Sequence, residues 1–189
     1  MINGKFHIRQ LVLSLTAILF LSGIAVAQEW TWKTYSPPND AWSIFAPGVM
    51  KPDSEAQTAN SKVGSYTYSD FYGSFLVVYR DSSKSFWSLK PDYSSYYKKV
   101  RKDFVKASKG QLLKEEKFTK GDWIGREVYI KIPTGQMIGI EGQILTKYRI
   151  ERLRMFFHGK RFYLLLAVLP ENLINTPEID KYFDSFVAK

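Results

Sequence analysis

Arg152-Leu153-Arg154-Met155-Phe156-Phe157-His158-Gly159-Lys160-Arg161-Phe162-Tyr163-Leu164 decides the fold class of this chain. Apolar and aromatic residues stand on both sides of a short polar break, and the glycine in that break permits a tight reversal. The pattern predicts strands over residues 144–157 and 161–169, joined at His158-Gly159-Lys160 into an antiparallel hairpin.

Upstream, residues 112–118 alternate, and Gly121-Asp122 makes a tight turn into 123–132, where Ile124, Val128, Ile130 and Ile132 share a face. Pro133-Thr134-Gly135 breaks that run before the closing hairpin. Downstream, Thr176 is a candidate N-cap and Pro177 suits the first helical position. Ile179, Tyr182, Phe183 and Phe186 then recur at i, i+3, i+4 and i+7, an apolar stripe expected to lie on the sheet.

Farther back the period is again helical. From Pro91, which suits a first turn, to Gly110, which suits a stop, Tyr93, Tyr96, Tyr97, Val100 and Phe104 form one face and Lys98, Lys99, Arg101, Lys102 and Lys106 occupy the rest. Before this helix, Tyr66, Tyr68 and Tyr72 precede Gly73-Ser74, and Phe75, Val77 and Tyr79 alternate with Leu76 and Val78. That second strand is apolar on both faces, so it is expected inside the sheet or under a helix. Two short strands, 30–35 and 42–45, flank the turn Pro37-Pro38-Asn39-Asp40, and residues 48–62 are polar enough for a surface connection. No linker, low-complexity run or internal repeat divides the chain. Long antiparallel hairpins with two separated helices imply an α+β fold: a mainly antiparallel β-sheet with helices packed on its faces.

Residues 1–27 begin with Lys5, His7 and Arg9, continue into an apolar run over 11–24 and end in Ala25-Val26-Ala27. This is the pattern of a signal peptide cut after Ala27, which predicts a secreted or periplasmic domain over 28–189. The alternative is an uncleaved anchor, but the run is shorter than a bilayer needs and is diluted by Ser14, Thr16, Ser22 and Gly23. No later segment is apolar enough to span a membrane. The chain has no cysteine, which excludes disulfides and a lipid anchor on cysteine. Removing the leader leaves 25 basic residues against 18 acidic, a net charge of +7. For an exported domain such a charge points to anionic lipid, anionic glycans or acidic proteins rather than to nucleic acid, or simply to solubility.

Several elements in order resemble the PsbP/Mog-like superfamily: Trp42-Ser43-Ile44-Phe45-Ala46-Pro47, Gly125-Arg126-Glu127, Arg152-Leu153-Arg154 with Gly159-Lys160-Arg161-Phe162-Tyr163-Leu164, and the closing Phe183-Asp184-Ser185-Phe186. The resemblance covers most of the chain after residue 27, and the closing hairpin with its Asp-Ser-Phe helix is its most specific part. It implies a central antiparallel sheet with helices on its faces and an accessory or binding role, since members are mostly non-catalytic. It carries over no functional residue.

The chemistry available is narrow. Cysteine nucleophiles are absent, and a Ser-His arrangement would have to use His158, the lone histidine after the leader, beside Gly159 in a turn where it reads as a polar tip. A zinc site is equally poorly supplied. Glu115-Glu116 and Glu141-Glu151 are the candidate carboxylate pairs for a hydrolase, though adjacent strand residues point to opposite faces. Gly135-x-x-x-Gly139-x-x-Gly142 lacks the ending of a phosphate loop, and no calcium-loop run occurs. No cofactor is implied.

Two surfaces remain. The basic side of the helix, with Lys98, Lys99, Arg101 and Lys102, suits a headgroup or an acidic partner, or is merely solvated. Arg126 interrupts an apolar face, and Arg152 and Arg154 share one; these arginines either pair with acids such as Glu127 or Glu151 or line an anion cleft. The expected function is an exported non-catalytic accessory or binding domain of the cell envelope, its partner an envelope protein or a small anionic ligand. A carboxylate hydrolase and a peripheral binder of anionic lipid through the basic helix are the alternatives.

Overall fold

The computed structural model describes residues 30–38, 40–53, 63–81, 93–138 and 143–188. The expectations placed on residues 1–27 and 54–62 and on Asn39, Pro91, Gly139, Glu141 and Gly142 lie outside these. Among the described residues, ten strands and two helices follow in order: β1 Lys33–Tyr35, β2 Trp42–Ala46, β3 Lys51–Pro52, β4 Val63–Ser69, β5 Ser74–Asp81, α1 Ser94–Ser108, β6 Gln111–Lys120, β7 Trp123–Ile138, β8 Ile144–His158, β9 Arg161–Leu169, α2 Pro177–Asp184 and β10 Val187–Ala188.

Seven strands form one antiparallel sheet in the order β3-β4-β5-β9-β8-β7-β6, and β1-β2-β10 form a small second sheet. The alternation that defined the strands divides the core in two. Phe75, Val77, Leu165, Ala167 and Phe156 turn to one face, where Trp42 and Ile44 of β2 and Ile179, Tyr182 and Phe183 of α2 cover them. Leu76, Val78, Leu164, Leu166, Leu153 and Val128 turn to the other, under Tyr97, Val100 and Phe104 of α1. β5 lies between β4 and β9, which accounts for its apolar residues on both faces. The result is an α+β fold with a helix on each face of a mainly antiparallel sheet.

The differences from the sequence pattern are local. Only Lys33–Tyr35 of the first expected strand pairs, and Tyr72 falls in the turn rather than in β4. Pro133-Thr134-Gly135 does not end β7: the register with β8 shifts between Pro133 and Gly135, and the strand continues to Ile138. A proline donates no hydrogen bond but can be absorbed at a bulge. Lys109 rather than Gly110 takes the left-handed conformation that closes α1, at φ 52°, while Gly110 is needed for space, since a Cβ there would lie 2.5 Å from Ile130. Thr176 stands at the N-cap of α2 in extended conformation, without a side-chain cap bond.

Candidate functional site

Glu127, Arg152 and Arg154 are buried charges between the sheet and α2. Register brings them together: Glu127 lies opposite Arg154, and Tyr129 opposite Arg152, across the β7–β8 ladder. Arg154 Nε donates to Glu127 Oε2 at 2.6 Å and Arg152 Nε to Glu127 Oε1 at 2.8 Å, while the Tyr129 hydroxyl donates to Oε1 at 3.0 Å. Burial, and then the Glu127 charge, pushes the Tyr129 phenol up from its ordinary range. α2 completes the set from above. Arg152 Nη1 donates to Asp180 Oδ1 at 2.6 Å and Arg154 Nη1 to Asp184 Oδ1 at 2.7 Å, and the Phe183 ring lies 4.5 Å from the Arg152 guanidinium. Two guanidiniums, three carboxylates and an aromatic lid therefore satisfy one another, and the group serves to clamp α2 to the sheet.

Arg126 is not part of this group. It is one residue from Glu127 and so points through the sheet to the α1 side, 6.0 Å from the Tyr97 ring. There it meets Arg101 of α1 around a shared acid: Arg101 Nη1 donates to Glu115 Oε2, and Arg126 Nε stands 4.0 Å from Glu115 Oε1. Lys98, Lys99 and Lys102 stay exposed on the same helix, with Lys99 Nζ 3.0 Å from Asp103. The seven candidate residues thus fall into two sets on opposite sides of the sheet: Lys98, Lys99, Arg101, Lys102 and Arg126 on one, Arg152 and Arg154 on the other.

Among the described residues, the remaining candidate acids are dispersed. Glu116 is exposed and 2.9 Å from Lys114, on the face opposite Glu115. Glu151 is buried beneath α1 and takes no part with Arg152 or Arg154, because alternation turns it the other way. Its Oε2 has no hydrogen-bond partner among the described residues, and burial pushes its carboxyl up to about 8. His158 ends β8 with its ring 5.0 Å from that of Trp123. Among the described residues, no three or more His, Cys, Asp or Glu side chains gather as a metal site would require.

Asp180 and Asp184 were not among the candidates, although their i, i+4 spacing beside the apolar stripe of α2 puts both over one edge of that helix. Asp40, read only as a turn residue, accepts hydrogen bonds from Tyr66 and Tyr79 at 2.8 and 2.9 Å. No pattern in the sequence signals that long-range contact.

No protein-family model matches the chain, and no curated protein matches it. Among solved structures, cyanobacterial PsbP (CyanoP) from Synechocystis sp. PCC 6803 superposes with a TM-score of 0.58 at 12% identity, covering 89% of this chain and 99% of its own. The Ran-binding protein Mog1p of Saccharomyces cerevisiae superposes with a TM-score of 0.50 at 10% identity, covering 84% of this chain and 96% of its own. The chain has the PsbP/Mog-like fold.

Proposed function

We propose that this chain is a non-catalytic binding domain that works outside the cytoplasm and recognises an acidic protein partner through the α1 side of the sheet. The observation that carries the reading is the contrast between the two charged sets. Arg152 and Arg154 are spent on Glu127, Asp180 and Asp184, whereas Lys98, Lys99 and Lys102 stand exposed beside the Arg101–Glu115–Arg126 group. A row of exposed cations over a fixed arginine pair suits an acidic surface, which it attracts at long range and orients at contact. Among the described residues, Glu115 and Glu116 are engaged by cations and Glu151 is buried apart from both, which supports a binding role. The Ran-binding Mog1p shows that this fold can present a protein-recognition surface. The leader pattern of residues 1–27 supports the compartment.

The test is affinity capture of the tagged protein from the envelope fraction of its host, repeated with Lys98, Lys99 and Lys102 changed to Glu. A reproducible acidic partner that is lost on charge reversal, with the melting temperature unchanged, is the expected result. Capture that survives the reversal moves the contact off α1.

A further inference from the structure

β6 ends the seven-stranded sheet, and no described strand lies on its outer side. Beyond the register shift between Leu112 and Lys114, it pairs with β7 residue for residue as far as Lys120. In an antiparallel ladder every second residue turns its N–H and C=O away from the partner strand, so this stretch presents a row of main-chain donors and acceptors roughly 20 Å long at about 3.4 Å per residue. The edge is open, since residues 111–114, 116, 117 and 119 are exposed. The opposite end of the sheet is closed by the short strand Lys51–Pro52, whose proline donates no hydrogen bond. We infer that β6 takes up an extended segment of a protein partner as an additional strand, acidic on the α1 side and apolar on the other, a reading that rests on the acidic partner proposed above and gives it a shape.

Alternation gives the edge two different faces. Glu115, Lys117 and Thr119 lie opposite Val128, Arg126 and Ile124 and share the α1 side. The acid of this row is already taken by Arg101 and Arg126, two guanidiniums for one carboxylate. At about 3.6 residues per turn, Lys98 and Lys102 stand on the flank of α1 from which Arg101 reaches β6. Both are exposed, as is Lys117, and none of the three belongs to an ion pair among the described residues. A strand laid beside β6 carries its α1-side groups past Lys117 and this flank, which selects carboxylates at every second residue. Lys114, Glu116, Phe118 and Lys120 share the opposite side. There the cations are occupied: Lys114 Nζ is 2.9 Å from Glu116, and Lys120 Nζ donates to the Phe186 carbonyl at 2.9 Å and to that of Asp184. The half-buried Phe118 ring stands between them, so an apolar residue fits beside it and an acid finds no free cation.

The same charges act against a second copy at this edge. An antiparallel pair of β6 strands from two copies keeps both α1 helices on one side of the joined sheet, so Lys98, Arg101 and Lys102 of one copy face those of the other. Like charge therefore opposes self-pairing at an edge that main-chain hydrogen bonding alone would favour. An acidic strand meets the same groups with the opposite sign. Main-chain pairing supplies the attachment and the cations choose the sequence, the division of labour found wherever a peptide extends a sheet.

The probe is a short synthetic peptide of alternating glutamate and valine with blocked ends, titrated into the full-length protein. Two controls keep every side chain but carry N-methyl groups, one on the glutamates and the other on the valines, so that each loses the donors of one edge of the strand. The peptide should bind, one control should match it, and the other should be weaker by about tenfold or more, because only one edge of the strand faces β6. On binding, amide exchange should slow at alternate residues between 114 and 120, and Lys117→Glu should weaken the peptide about tenfold with the melting temperature unchanged. Equal binding of the peptide and both controls overturns the added strand and leaves the acidic partner of α1 standing. Binding by none of the three overturns it as well, and the charge-reversal capture then decides separately whether the acidic partner falls with it. Slow exchange along β6 that grows with protein concentration in the absence of peptide assigns the edge to a second copy and also overturns it.

Discussion

Arg154 and Glu127 face each other across the β7–β8 ladder, and the guanidinium Nε donates to the carboxylate at 2.6 Å in a layer that α2 closes from above. Arg152 binds the other oxygen of the same carboxylate, so one acid holds two cations that the lid of Phe183 keeps from water. Removing the acid leaves both arginines buried with only Asp180 and Asp184 as counterions. Glu127→Ala should therefore cost about 3–5 kcal/mol, read from denaturant midpoints. Replacing Glu127, Arg152 and Arg154 together by apolar residues should recover most of that loss.

Gly125 sits opposite Phe156 two residues earlier in β7, and a Cβ there would collide with the Met155 carbonyl oxygen. That obstacle is backbone, so it cannot rotate away. Gly125→Ala should destabilise by roughly 1–3 kcal/mol through displacement of β8, and amide exchange should quicken along the β7–β8 ladder.

Asp40 connects the turn before β2 to the sheet by accepting from the Tyr66 and Tyr79 hydroxyls, and Arg161 Nη1 stands 3.7 Å from its other oxygen. Burial, and then the Asp40 hydrogen bond, pushes the Tyr79 phenol up from its ordinary range. Asp40→Ala removes the acceptor that the Tyr66 and Tyr79 hydroxyls share and should cost about 1–3 kcal/mol. Tyrosine titration followed by ultraviolet absorbance should show the Tyr79 step moving down.

What the sequence made legible follows from what alternation and periodicity encode. The β8–β9 hairpin, the stripe of α2 and the apolar face of α1 are local patterns, and each fixes which side chains face the core, as Leu153 and Phe183 do. Glu127 was identifiable as a partner for Arg152 and Arg154, but placing Arg126 on the far side required the register. The continuation of β7 past Pro133 was hidden because proline and glycine mark both a chain break and a bulge. How far β7 and β8 pair beyond their neighbours depends on where β6 and β9 stop, which no local pattern in β7 or β8 records.

Glu151 supplies a pH dependence of known sign. It lies under α1 between Ile130 and Val168 on the neighbouring strands, with Ser108 of α1 as the polar group that reaches it. Burial raises its carboxyl from 4.5 to about 8. In the unfolded chain the same group ionises at its ordinary value, so between about 4.5 and about 8 the folded state holds the more protons. The contribution of Glu151 to stability therefore falls as pH rises through that window and levels off above it. Glu151→Gln has nothing to titrate, but it places an amide donor where Oε2 lacks a partner, which should cost about 1–3 kcal/mol at low pH. Urea unfolding across the window should show the two proteins converging as pH rises, with the variant overtaking at the alkaline end. Parallel curves would mean that Glu151 ionises alike in both states and that the burial beneath α1 is relieved by water.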